Sequence, residues 1–469
     1  MTLGTRMRSF LQRAGRVATI DAVGAAPPPS PLAPVDLTDT TQVAAVMDVA
    51  ARIGDILLSS GTSNKDASAQ IHAVTAAYGL VYCHVDITLN TITVFTNIGV
   101  DDQLTPVSVF RVVGKMTTDF SKLSAVDRLI RSIQAGATPP EVATKILDEL
   151  YATPATYGFR TSLVGWGGMG ASVAVLLGGS WLQAVISCLV SVLIIAGSAW
   201  LGKHSLPLFF QNVYGGFVAT LPAAAAYFIA TGQGLSVVPS QIVASGIVVM
   251  LAGLTMVQSL QDGITGAPVT ASARFFETLL LTGAIVGGVG LGIQVTQLMG
   301  ISLPPLESAA APNYASALAK ALAGAFASAS FALACYAEIG SVFISGLTAL
   351  AGSLLYYFVL IPSGLGVVTS TAIAATVIGL AGGLLARRFL IPPLITAIAG
   401  ITPMLPGLSI YRGMYAALNE QMLAGFTNLA IALSLCSALA AGVVLGEWIA
   451  RRLRRPPRLR LYPRGSLSR

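Results

Sequence analysis

Two hydropathy regimes meet near Phe159. Before it, apolar positions come in short amphipathic runs separated by polar turns. After it, they come in stretches of membrane length separated by brief polar or Gly/Pro breaks. A helix needs about 20 residues to cross ~30 Å of hydrocarbon. About ten stretches qualify: 159–178, 181–201, 210–231, 238–257, 276–298, 317–337, 341–361, 366–386, 390–411 and 423–447. The pattern predicts a polytopic α-helical membrane protein with about ten transmembrane helices, preceded by a small cytoplasmic α/β domain. Small residues are dense in the spans, as in Gly165–Ser172, Gly283–Gly292 and Gly379–Ala386. They let helices approach closely where no hydrophobic force drives association.

Residues 1–35 combine a basic arm (Arg6, Arg8, Arg13, Arg16) with the stiff linker Ala26–Pro34. The arm has no apolar run of signal-peptide length. Residues 36–158 read as the α/β domain. Helices are expected over Gln42–Leu58 and from about Asp66 to Tyr78. Strands are expected over Val81–Thr88, Thr91–Asn97 and Val107–Val113, and closing helices near Ser124–Ala135 and Pro139–Tyr151. Ser59, Ser60, His84 and Asp86 lie here, but without a GxSxG elbow, a P-loop or metal-ligand spacing. The domain is expected to do no covalent chemistry, and the protein is read as no enzyme.

Composition sharpens this picture. The chain has 469 residues, of which 54% are hydrophobic and 10% charged, against about a quarter charged in soluble proteins. Much of the net charge of +7 sits at Arg6–Arg16 and Arg451–Arg464. Flanking spans, such arginines mark the cytoplasmic side rather than a nucleic-acid surface. Lys203, Arg274, Arg387, Arg388 and Arg451–Arg455 fall on the side of the N-terminal domain, and the loops near 179, 235, 308 and 364 carry no Lys or Arg. Both termini are therefore expected in the cytoplasm, with Lys320 and Arg412 as exceptions near external ends. Four scattered cysteines and three histidines suggest neither a disulfide framework nor a metal site. No cofactor is expected.

The membrane part divides into two sets of five spans, 159–299 and 317–450, joined by an external loop at 300–316 and followed by a basic tail at 451–469. Ala252-Gly253-Leu254-Thr255 followed by Asp262-Gly263 resembles Ala399-Gly400-Ile401-Thr402 followed by Arg412-Gly413. An odd number of spans per half makes the repeats inverted, an arrangement that places a site between broken helices. The expected breaks are Gln258–Arg274, with Gly263, Gly266 and Pro268, and Thr402–Gly413, with Pro403, Pro406 and Gly407. A Pro-kinked helix without a ligand is the plainer reading of Pro403 and Pro406.

Four long motifs carry a family likeness: Gly54–Asp66, Tyr78–Gly99, Ser259–Leu280 and Gly400–Ala416. They resemble the threonine/serine exporter family over roughly Thr19 to Pro457. The resemblance implies proton-driven export of L-threonine and L-serine by a multi-pass protein of the bacterial plasma membrane. It implies protons and the lipid bilayer as partners, and leaves a homo-oligomer open. A zwitterion in a low-dielectric site needs a partner at each end. Asp262 and Glu277 are candidates for the ammonium or a transported proton, and Arg274 and Arg412 for the carboxylate. Gln258, Asn212 and Asn428 are candidates for the hydroxyl. Plainer readings stand beside these: an i,i+3 ion pair between Arg274 and Glu277, and interhelical hydrogen bonds from Asn212 and Asn428. A passive channel and a membrane-anchored hydrolase are the competing functions.

Overall fold

The computed structural model describes residues 35–98, 105–114, 119–153, 155, 157–234, 237–250, 252–301, 316–418 and 420–453. The basic arm, nearly all of the Pro-rich linker, most of the 300–316 loop and the tail beyond Leu453 lie outside the described residues.

The N-terminal domain forms because its helix starts are capped and its apolar positions converge. Helix α1 (Thr40–Ser59) begins at Asp39, whose carboxylate accepts from the Thr41 amide, and buries Val43, Val46, Met47, Ala50 and Ile53. Helix α2 (Asn64–Ala77) begins at Ser63, which accepts from the Asp66 amide. Strands β1 (His84–Thr88), β2 (Thr91–Ile98) and β3 (Thr105–Val112) make an antiparallel meander in the order β1-β2-β3. Alternate β2 residues Ile92 and Val94 point into the core. Helices α3 (Phe120–Gln134) and α4 (Pro140–Ala152) close the domain. Strand β1 starts three residues later than the pattern predicts, and Val81 and Tyr82 before it are exposed.

A buried polar link ties α1 to β3 and α4. Asp55 accepts from Arg111 Nε at 3.0 Å and from the Tyr151 hydroxyl at 2.8 Å. Burial, then the bond to Asp55, pushes the Tyr151 phenol up to about 12. The Ser60 hydroxyl donates to the Ile56 carbonyl of its own helix, and His84 stacks on Phe95. Neither residue is joined to the other as a nucleophile and base would be.

The remainder is helical: α5 (Phe159–Leu176), α6 (Trp181–Lys203), α7 (Leu208–Gly232), α8 (Pro239–Val249), α9 (Ala252–Thr265), α10 (Pro268–Leu298), α11 (Ala317–Ala334), α12 (Ile339–Leu355, extended by a π-helical turn to Leu360), α13 (Val367–Phe389), α14 (Pro393–Ile401, then a 3-10 turn to Met404), α15 (Gly407–Leu418) and α16 (Met422–Leu453). Among the described residues seven helices are long and apolar enough to cross a membrane, or eight if the bent pair α8–α9 is one span. The other two expected stretches correspond to the Gly-rich α5 and to the shorter apolar Pro393–Met404.

The first intramembrane break lies earlier than the sequence suggests. Gln258–Thr265 is regular helix, and Gly266, at φ +101°, with Pro268 makes the turn into α10. The bend within the fourth span is 48°, between Val249 and Gly253. The second break falls at Pro403–Pro406, within the expected Thr402–Gly413, and from Gly407 the chain is helix again. The two breaks lie against each other. A Cβ at Gly407 would stand 2.0 Å from Val248 Cγ2, and one at Gly253 would stand 3.6 Å from Leu405 and Pro406. Cys436 of α16 donates weakly to the Gly253 carbonyl, at 3.9 Å.

Matching contacts recur in the two halves. A Cβ at Gly288 of α10 would meet the Val213 carbonyl and Phe217 amide of α7 at 2.0 and 3.0 Å. One at Gly442 of α16 would meet the Ala372 carbonyl and Thr376 amide of α13 at 2.5 and 3.1 Å. Gly246 of α8 packs on Ala219 and Ile194, of α7 and α6. Gly400 of α14 packs on Ile378 and Thr348, of α13 and α12. Gly246 and Gly400 thus sit in similar packing, each against residues of two neighbouring helices.

Helices α5 and α11 run in opposite directions, and so do α10 and α16. Ser162, near the start of α5, donates to the Ala334 carbonyl at the end of α11, at 2.7 Å. The start of α10 and the end of α16 both meet the N-terminal domain, the latter through Arg451–Asp66 at 3.0 Å. Helix α10, of 31 residues, is about 46 Å long at 1.5 Å per residue, so it exceeds the hydrocarbon thickness. The domain is held further by Phe120. Its amide donates to the Cys335 carbonyl at 2.9 Å and its ring packs edge-on to Phe331. Arg128 pairs with Glu338 at 2.6 Å.

Candidate functional site

Asp262 sits on the last turn of α9, 1% exposed. Gly266 reverses the chain, and the Ala267 amide closes the turn on the Asp262 carbonyl at 2.9 Å. This reversal lays the first two turns of α10 beside α9. Arg274 Nη1 then donates to Asp262 Oδ2 at 2.7 Å, while the Asn64 amide, in the first turn of α2, donates to Oδ1 at 3.3 Å. Both carboxylate oxygens are thus partnered, one by a guanidinium and one by the positive end of a helix. A charge so buried persists only because the opposite charge is buried with it.

Asn64 is the hub of the junction. Its Nδ2 donates to Thr270 Oγ1 at 2.8 Å and to the Ile87 carbonyl at 3.3 Å, and the Leu89 amide donates to the same Thr270 hydroxyl. Gln258 reaches the same place. Gly61, at φ +89° in the α1–α2 turn, leaves room for it, since a Cβ there would stand 2.8 Å from Gln258 Nε2. Beside this junction a cleft of about 430 Å³ opens between α2, the β1–β2 turn and the α9–α10 turn.

Gln258, Asp262, Arg274, Gly266 and Pro268 therefore converge, with Gly263 exposed on the last turn of α9. The expected Arg274–Glu277 pair does not form: Arg274 turns back to Asp262, and Glu277 is exposed on α10. A buried carboxylate without a counter-charge is costlier than an exposed one, which decides the pairing. Asn428 does not bridge helices: its amide donates to the Ala424 carbonyl of its own helix at 2.9 Å. Asn212 of α7 and Arg412 of α15 are half-buried, away from the Asp262 junction in the fold. Asn64 and Thr270 were not among the candidates. Their signal was a polar residue at a helix start, which ordinary capping also produces.

This architecture, with several apolar helices, a broken helix pair at the centre and a buried ion pair under a docked domain, is that of a multi-pass membrane protein. A family model described as "Putative threonine/serine exporter" matches residues 48–296, and one described as "Threonine/Serine exporter, ThrE" matches residues 320–449. The chain is 68% identical over 456 residues to the "Threonine/serine exporter" of Corynebacterium glutamicum, covering 97% of this chain and 93% of the relative. It is 38% identical over 415 residues to the "Probable threonine/serine exporter" of Mycobacterium tuberculosis (strain ATCC 25618 / H37Rv), covering 87% and 77%. No solved structure matches it. The chain belongs to the threonine/serine exporter family.

Proposed function

We propose that this protein exports L-threonine and L-serine from the cytoplasm by alternating access between two inverted five-helix repeats, driven by the proton motive force. The observation that carries this reading is the pair of helix breaks packed against each other, Gly253 on Leu405 and Pro406, and Gly407 on Val248. Broken helices crossing at the centre free backbone groups to meet a solute where unbroken helices offer none. The opposite directions of α5 and α11, and of α10 and α16, support inversion. So do the recurring contacts of Gly288 and Gly442. On this reading all ten helical stretches cross or enter the membrane, the N-terminal domain and both termini are cytoplasmic, and the membrane is the bacterial plasma membrane.

The halves are not in the same state, as alternation requires. Cys436 bonds the Gly253 carbonyl at the first break. Thr282 holds the same place in α10, yet its buried hydroxyl has no partner. On this reading the second break is the one that opens toward α10. Arg412, Asn212 and Asn428 are our candidates for the substrate carboxylate and hydroxyl. Asp262 is the coupling group. Gaining a proton, it releases Arg274 and loosens the hold of α2 on the α9–α10 turn. Losing it, the pair closes again. Glu277, exposed beyond the turn, is the second carboxylate on the proton's route. Uphill export of labelled L-threonine by the reconstituted protein, with its loss on adding an uncoupler, tests the reading.

A further inference from the structure

The first turn of α2 braces two long membrane helices at once. Asn64 holds α10, its Nδ2 donating to Thr270 Oγ1 at 2.8 Å, and its amide donates to Asp262 of α9. Two residues on, Asp66 Oδ1 accepts from Arg451 Nη1, near the end of α16, at 3.0 Å. The two ties differ in what they cost to break. Asn64 is 5% exposed and Thr270 2%, so parting them strands buried polar groups. The side chains of Asp66 and Arg451 are 40% and 45% exposed, so water takes up both charges when they part.

Each member of the exposed pair also has a second partner at hand. The Ser63 hydroxyl donates to Asp66 Oδ2 at 2.9 Å, and Asp66 lies at the positive end of α2. Glu447 lies one turn before Arg451 on the same face of α16, half-buried, and forms no ion pair among the described residues. A glutamate four residues N-terminal to a basic residue is the favourable order for a pair along a helix. Arg451 therefore stands between two carboxylates, one on the domain and one on its own helix, and in this structure it serves the first. We propose that Arg451 is an inner latch that changes hands. Paired with Asp66, it holds α16 to the domain and so to α10. Paired with Glu447, it lets the cytoplasmic ends of α10 and α16 part, while the Thr270 tie stays closed. Phe120 and Arg128 keep the domain seated on the α11–α12 turn. The proton step at Asp262 reaches the latch through α2, because the amide that Asp262 accepts from lies two residues before Asp66. That the helix ends part during transport rests on the alternating-access reading; the pair and its spare carboxylate do not.

The test tethers each tie in turn, in the full-length protein in proteoliposomes with the native cysteines replaced. Gln70→Cys, one turn on from Asp66, with Leu453→Cys, two residues beyond Arg451, reports the latch. Lys65→Cys with Val269→Cys reports the α2–α10 side, where both line the cleft. Both pairs are joined with a reducible bifunctional methanethiosulfonate. The latch tether should stop uphill threonine export and reduction should restore it; the α2–α10 tether should leave export at its untethered rate. The rate of latch tethering is a readout apart from transport. Asp66→Asn should lower it about two- to fivefold, the worth of one exposed ion pair, and Glu447→Gln should raise it. Full export by the latch-tethered protein, or tethering rates that do not shift in opposite senses in the two variants, overturns the latch. Opposite shifts in a protein that never exports uphill would uphold the latch and sink the transport reading instead.

Discussion

Asp262 and Arg274 are 12 residues apart in sequence and 2.7 Å apart in space, and this pair forms one of the contacts of the N-terminal domain with the membrane helices. With side chains 1% and 10% exposed, each charge depends on the other. Asp262→Ala leaves a buried guanidinium alone, and we expect it to cost about 3–5 kcal/mol and much of the folded protein. Asp262→Asn keeps the size and accepts from Asn64 but does not titrate. It should abolish uphill export while keeping exchange of threonine down its own gradient. Asp262→Glu should be milder. Uphill export by Asp262→Asn with normal dependence on external pH would pass the coupling role to Glu277.

The recurring glycine contacts give a second expectation. Gly288→Leu and Gly442→Leu drive a side chain into backbone on α7 and α13, so both should fail to yield stable protein. Gly287→Ala meets nothing within 4 Å and replaces a flexible residue inside a helix, so it should leave the melting temperature unchanged or raise it. Equal tolerance of leucine at 287, 288 and 442 would remove the packing argument for the repeat.

The unequal partners of Cys436 and Thr282 make the third. In a background lacking the other native cysteines, Cys436 should react slowly with a thiol reagent at rest. It should react several-fold faster during turnover, when its contact with Gly253 opens. A cysteine at Thr282 in a Cys436→Ser chain should change in the opposite sense, so equal responses would contradict a rocking exchange between halves.

Topology is the fourth. Trp181 and Leu365, both exposed, lie beside loops without Lys or Arg. Single cysteines there should label from outside intact cells. They are better reporters than the neighbouring Gly364, whose φ of +77° resists a side chain. Labelling only after permeabilisation would contradict cytoplasmic termini.

Much of this was legible in the sequence, for identifiable reasons. The polar run Thr38–Thr41 and the Pro139–Pro140 start located two helices of the N-terminal domain to within about two residues, while the second helix begins at Asn64, two residues before Asp66. Apolar length located the membrane helices. The bend after Val249 was not legible, because no proline marks it and the neighbours of Gly253, Leu405 and Pro406, come from a distant segment. The similar packing of Gly246 and Gly400 was not legible either, because it lies in their neighbours on other helices. Asp262 and Arg274 were each visible as intramembrane charges, but their pairing needed the reversal at Gly266. Asn64 was hidden because its function lies across an interface between distant segments.

The central claim is coupled export, and one measurement addresses it most directly. Proteoliposomes containing the purified protein are preloaded with labelled L-threonine; efflux into threonine-free buffer runs downhill and does not distinguish an exporter from a channel. The informative arm places the higher threonine concentration on the receiving side and imposes a proton gradient. The account predicts net movement uphill that collapses on adding an uncoupler and is absent in Asp262→Asn. Movement only down the threonine gradient, indifferent to the uncoupler, would contradict it and leave a passive channel.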